Sequence, residues 1–200
     1  MFFKKLTTLI RQPNVHTALL WVSLGLGGGV LLWNGFMLSL DATSTTEFCI
    51  SCHSMQAYVY EDYKQSIHYR NTKGIQADCA DCHVPKPLGA KLLRKTIALN
   101  DVYHTMLGSI DTPEKFAAKK QHLAKREQER MRATDSRECR NCHKLEQMDF
   151  DRQNPTARQQ HQQAKHMQKT CVDCHQGVAH KQLANIINND HNAEESFSLE

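Results

Sequence analysis

The chain has too few of the residues that build an apolar core. From Asp41 to Glu200 only 25 of 160 residues are Leu, Ile, Val or Phe. That is under the roughly 20% below which a soluble chain ordinarily fails to bury enough surface to fold. High net charge, the other half of a disorder signature, is also missing. Lys4, Lys5 and Arg11 supply all but +1 of the formal +4, so the region from residue 41 is nearly neutral. Such a chain stays loose or packs around something not made of amino acids. Near-neutrality also leaves no strong basic field, and nothing points to nucleic acid. Two further absences are local. No charged residue occurs between Gln12 and Leu40, and no cysteine lies outside a Cys-x-x-Cys-His motif.

The uncharged stretch contains Thr17–Leu40, 24 residues that span about 36 Å as a helix and cross a hydrocarbon core of about 30 Å with some tilt. Basic residues precede it and Asp41 and Glu47 follow it, so the positive-inside rule places the N-terminus in the cytoplasm and the rest outside. The run is longer than a signal-peptide core and no Ala-x-Ala cleavage site follows, which favours an uncleaved anchor. Gly25, Gly27, Gly28 and Gly29 form a small-residue patch. It fits association with a second copy or glycine merely tolerated in lipid.

The four motifs are Cys49–His53, Cys79–His83, Cys139–His143 and Cys171–His175. In this spacing two thiols add to the vinyl groups of one haem, and the adjacent imidazole becomes an iron ligand. Zinc ribbons also use Cys-x-x-Cys pairs but need no histidine after each one, and disulfides do not explain the histidines either. Four covalently bound haem c groups follow, attached through Cys49, Cys52, Cys79, Cys82, Cys139, Cys142, Cys171 and Cys174, with His53, His83, His143 and His175 as motif ligands. Haem attachment of this kind takes place outside the bacterial inner membrane, in the periplasm, in agreement with the topology.

Motifs one and two start 30 residues apart, motifs three and four 32 apart, and the second of each pair reads Asp-Cys-His. The expected fold is mainly α: one N-terminal transmembrane helix plus a small haem-packed domain of short helices and loops, built as two dihaem modules. The divisions are a basic N-terminus (1–16), an anchor (17–40), a first module (41–110), a linker helix (111–135), a second module (136–185) and a polar tail (186–200). Asp111-Thr112-Pro113-Glu114 resembles a capping box. The helix after it, to Arg132, has a thin apolar face of Phe116, Leu123 and Met131 and reads as a solvated spacer.

Six-coordinate irons need distal ligands. His16, His122 and His191 lie in unsuitable places, which leaves His68, His104, His161, His166 and His180. Spacing alone does not pair them with haems. Met55 follows His53 by two residues, too near to reach the opposite face of the same haem, so it either replaces His53 on the iron or packs nearby.

These residues resemble the NapC/NirT membrane-anchored tetrahaem quinol dehydrogenases. The resemblance runs through the basic N-terminus, the anchor, TEFCISCHSM, DCHVP, IDTPEKF, ECRNCH, MDF and CVDCHQGVAH. It implies that electrons pass from membrane quinol, menaquinol or ubiquinol, to a periplasmic terminal reductase, nitrate reductase by preference. It implies Met55 on the first haem, and His180, His68 and His161 as distal ligands of the second, third and fourth. His104 and His166 have no counterpart. Asp101 matches an acidic residue beside the first haem, where it accepts the quinol proton. The position of a quinol-pocket lysine is held by Arg94, with Lys95 adjacent and Lys91 a turn earlier. Leu92, Leu93, Ile97 and Val102, on a helix expected from Pro87 to Leu107, lie either on the membrane surface, with these cations near headgroups, or against haem. Competing functions are delivery to a nitrite or trimethylamine N-oxide reductase, direct reduction of a small anion at an open haem, and a passive conduit. The lack of a fifth haem motif speaks against the trimethylamine N-oxide branch.

Overall fold

The computed structural model describes residues 14–164 and 166–181. Lys4, Lys5, Arg11 and the tail from residue 186 lie outside them. Two units are distinct, one to Thr43 and one from Ser44. Among the described residues every regular element is helical.

The first unit is a single helix, α1, Val15–Ala42, 28 residues long and about 42 Å at the usual helical rise. Asn14 caps it, its Oδ1 accepting from Thr17 N at 2.9 Å. The helix runs through Gly25, Gly27, Gly28 and Gly29 without a break, and a Cβ at any of them would meet nothing within 4 Å. Its large apolar side chains are exposed from Val15 to Leu38 apart from the half-buried Met37, and Leu40 near its end is buried. The helix is long and apolar enough to cross a membrane, and is two residues longer at each end than the expected span.

The second unit begins with α2, Thr46–Cys49, followed by a π-helical turn, Met55–Tyr60, that continues into α3, Glu61–Lys64. Next come α4, Cys79–His83, α5, Leu88–Met106, and α6, Pro113–Ala133. The remaining helices are α7, Arg137–Arg140, α8, Pro155–Ala164, and α9, Cys171–Cys174, with two 3-10 turns, Leu145–Gln147 and Phe150–Arg152, between α7 and α8. Tyr63 and Val172 are the only buried hydrophobic residues described in this unit. Among the described residues of this unit there is thus almost no apolar core, as so low an aliphatic content leads one to expect.

The helix α6 differs from its sequence reading in two ways. Thr112 is its N-cap, accepting from Lys115 N at 3.4 Å. Because Lys115 stands three residues on, there is no capping box, and Glu114 sits one place too early to close one. Nor is α6 a solvated spacer. Phe116 stacks on Tyr58 at 5.0 Å, Lys120 pairs with Asp62 at 2.9 Å, Glu127 meets His83 at 2.8 Å, and Arg132 meets Asp173 at 2.6 Å. The inward stripe at helical spacing holds Phe116, Lys120, Leu123, Glu127 and Arg130. Two of these five are apolar, and the three charged ones read as solvent-facing in the sequence. The helix is a strut along which the motif helices are fixed.

Candidate functional site

Each even-numbered motif is a one-turn helix with the same cap. In α4, Asp78 N donates to Asp81 Oδ2 at 2.9 Å. In α9, Thr170 N donates to Asp173 Oδ2 at 2.8 Å. Both are capping boxes, so the aspartate of Asp-Cys-His closes the helix on which its two cysteines stand. Motifs one and three lack that aspartate and supply a hydroxyl instead, three residues before their first cysteine. Thr46 Oγ1 donates to Asp78 Oδ1 at 2.9 Å and accepts from Cys79 N at 3.3 Å. Ser136 Oγ accepts from Val172 N at 3.2 Å. One hydroxyl thus ties motif one to motif two, and another ties motif three to motif four.

No disulfide joins any of the eight cysteines. Cys49 lies within hydrogen-bonding reach of Cys79, and Cys82 lies near Cys139. The four motifs therefore lie in one contiguous group.

The histidines are arranged in pairs. Ring centroids of His83 and His180 lie 6.3 Å apart, those of His68 and His143 6.1 Å, and those of His161 and His175 5.9 Å. A single metal ion bound by both rings of a pair, at about 2 Å from each nitrogen, would need ring centroids at about this separation. In His68, His83 and His161 the Nδ1 atom is the engaged one, with Val178 O at 3.2 Å, Glu127 Oε1 at 2.8 Å and Gln153 Oε1 at 2.7 Å. That pattern leaves Nε2 for a metal. His180 Nδ1 is buried with no hydrogen-bond partner among the described residues. Burial, then the charge of His83, pushes His180 down to about 4, so it stays a neutral imidazole. No three His, Cys, Asp or Glu side chains among the described residues converge as a bare metal ion requires. The donor set fits haem c: a cysteine pair per group and a facing imidazole pair for three of the four.

The remaining histidine candidates, His104 and His166, are exposed, as is His122. His53 has Tyr58 edge-on at 6.2 Å rather than a second imidazole. Met55 opens the π-helical turn, a form that often marks functional positions, and lines a cleft with Cys79, Cys82, His83 and His180.

Asp101 and Arg94 stand on α5. Arg94 Nε donates to His83 O at 3.3 Å, and its NH1 is 3.9 Å from Asp101 Oδ2. Arg126 of α6 donates to Asp101 Oδ1 at 3.1 Å. Asp101 remains 45% exposed, more open than a carboxylate shielded from water. Lys95 is near enough to act on the Cys49 thiol. Lys91, Arg94 and Lys95 are half-buried while Leu93, Ile97 and Val102 are exposed. The helix thus turns its apolar side outward and its cations inward, the reverse of the expected placement of those cations. Leu92 is half-buried.

Three groups of residues escaped the sequence reading. Arg126, Glu127 and Arg130 carried no signal beyond their place on one face of α6. Thr46 and Ser136 were visible as hydroxyls at matching offsets from alternate motifs. Asp81 and Asp173 were seen as a repeat without their capping role.

The NapC/NirT cytochrome c family, N-terminal region, matches residues 12–185. The denitrification system component NirT of Stutzerimonas stutzeri is 48% identical over 86% of each chain. A tetraheme cytochrome-c type protein of Allochromatium vinosum is 51% identical over 77% of this chain and 83% of its own. The cytochrome c-type protein NapC of Escherichia coli is 45% identical over 89% of each chain. No solved structure gives a significant match.

Proposed function

The chain belongs to the NapC/NirT cytochrome c family, an electron-transfer family with a membrane anchor, and from that premise we propose that it oxidises membrane quinol and delivers the electrons to a periplasmic terminal reductase. The observation that carries this reading is the set of three histidine pairs, each joining a motif histidine to a distant one at 5.9 to 6.3 Å. Haem c, bound through thioether links at the four cysteine pairs, supplies one-electron carriers. His83 with His180, His143 with His68, and His175 with His161 would hold the second, third and fourth irons. Met55 or His53 would hold the first.

The unmatched motif is the one nearest the anchor in sequence. Asp101, with Arg94 and Arg126 around it, takes the quinol proton, a role for which a carboxylate within hydrogen-bond reach is suited. Arg94 or Lys95 orients the quinol oxygen, and Lys91 adds positive charge a turn away. The outward apolar side of α5, with Leu93, Ile97, Val102 and Met106 exposed, is the surface that meets lipid. The N-terminus is cytoplasmic and the haem domain periplasmic, on the bacterial inner membrane.

Identity does not separate the possible reductases, since the NirT and NapC relatives stand at 48% and 45%. Nitrate reductase is the partner to test first, because the sequence resemblance favours it. The test is to place the holoprotein in vesicles with menaquinol or ubiquinol, follow haem reduction, then add each reductase and time reoxidation. Reduction by quinol and selective reoxidation by nitrate reductase support the reading. Failure of quinol to reduce a protein that dithionite reduces defeats it. Nitrite reduction by the lone protein favours catalysis at an open haem instead.

A further inference from the structure

Three ligand histidines have their Nδ1 atoms engaged, and the three acceptors are not equivalent. His68 meets a backbone carbonyl and His161 an amide oxygen. His83 alone meets a carboxylate, Glu127 Oε1 at 2.8 Å. With Nε2 on iron, Nδ1 of a neutral imidazole carries the hydrogen, and an ionised carboxylate only accepts. The direction of this bond is therefore fixed: His83 donates and Glu127 accepts.

Glu127 is itself held in place. Arg130 donates to it through Nε at 3.0 and 3.1 Å and through NH2 at 2.7 Å. Arg130 NH2 also donates to Cys82 O at 3.3 Å, on the motif that carries His83, and its NH1 lies 3.8 Å from Glu138 Oε2. Glu138 is 1% exposed at its side chain and directly precedes Cys139 of motif three. A chain of alternating charges thus runs from the imidazole of motif two to the start of motif three, with α6 as its support.

We propose that Glu127 is the positioning residue of the motif-two haem. Its carboxylate fixes the His83 ring with Nε2 towards the iron, and by drawing on the Nδ1 hydrogen it lowers that haem's reduction potential. A carboxylate behind a ligating histidine raises the ligand's basicity, which stabilises ferric iron over ferrous. Arg130 tempers the effect by sharing the carboxylate charge. The inference rests on the reading of His83 as an iron ligand.

Two substitutions test it in the full haem-loaded protein. Glu127→Gln keeps an acceptor oxygen at the same place and removes the charge. Arg130→Gln keeps the carboxylate and removes the cation that shares it. Haem content and the low-spin ferric resonances are read in each, and the four midpoints are determined by resonance-monitored redox titration. The wild type is expected to show three bis-imidazole signals. In Glu127→Gln one of them shifts and its midpoint rises by about a tenfold change in the reduction equilibrium, about 59 mV for one electron. In Arg130→Gln the same midpoint falls. Unchanged midpoints in both variants, or movement of the same midpoint in the same direction in both, overturns the proposal as a packing effect. Fewer than three bis-imidazole signals in the wild type overturns the histidine pairing, and the inference with it.

Discussion

Arg126 donates to Asp101 Oδ1 across 3.1 Å, joining α6 to α5 at the residue proposed to take the quinol proton. Both side chains are about half exposed, 53% and 45%, and an ion pair in that setting contributes only about 0–1 kcal/mol to stability. The pair therefore matters to the site more than to the fold. Asp101→Asn should slow quinol oxidation about a hundredfold, the lower bound for loss of a proton acceptor, while dithionite still reduces all the haems. Arg126→Gln leaves the carboxylate in place, so quinol turnover should change less than about tenfold and the melting temperature hardly at all. Stopped-flow reduction by a quinol analogue gives both rates. Equal losses in the two variants would move the catalytic role from the carboxylate to the pair.

The two hydroxyls that tie the motifs together should be structural. Ser136 is fully buried, and Thr46 is 6% exposed. Ser136→Ala leaves the Val172 N–H without an acceptor, a loss of about 1–3 kcal/mol for a buried group. Thr46→Val removes a donor to Asp78 and an acceptor for Cys79 N, with a similar penalty. Both variants should keep four haems and lower the denaturation midpoint of the holoprotein. A normal midpoint in Ser136→Ala would show that Val172 N–H finds another acceptor.

The sequence carried the helical class, the anchor and the four attachment motifs, because each is a local pattern. The helix expected over Pro87–Leu107 forms over Leu88–Met106, since its ends are set by Pro87 and by Gly108, which takes a positive φ of 62°. What escaped the sequence is long-range. Glu127 and Arg130 look like the solvent face of a charged helix, and nothing near them in the chain shows that His83, 44 residues earlier, is their partner. Arg126 is hidden for the same reason, because Asp101 reaches it only when α5 and α6 lie side by side. In an ordinary protein an inward helix face is read from its apolar residues. Here apolar residues are scarce and charge pairs do the positioning, so the usual periodicity is nearly silent.

Tyr63 should make the fold sensitive to alkali. It is 6% exposed, and its hydroxyl donates to the carbonyls of Ala77 and His68. Burial, the largest cause, pushes its phenol up to about 12. The raised value means that its contribution to stability is complete below the ordinary tyrosine value of about 10 and is lost as pH climbs from there towards about 12. Tyr63→Phe should cost about 1–2 kcal/mol at neutral pH through the lost hydrogen bonds and flatten the stability profile above pH of about 10. Denaturation midpoints across that range for the two proteins make the comparison. A parallel loss in both would assign the alkaline sensitivity to another group.

Met55 and His53 make different demands on the first iron, and one substitution separates them. The other three motif histidines each face a distant imidazole, whereas His53 faces the edge of Tyr58. Met55 stands two residues on, where the chain enters a π-helical turn. Thioether ligation raises a haem potential relative to a second imidazole. If Met55 holds the iron, Met55→His should lower one midpoint, leave the other three in place and slow quinol oxidation, because the first electron acceptor becomes harder to reduce. If all four midpoints stay where they were, Met55 only packs in the cleft it shares with His83 and His180, and His53 is the ligand.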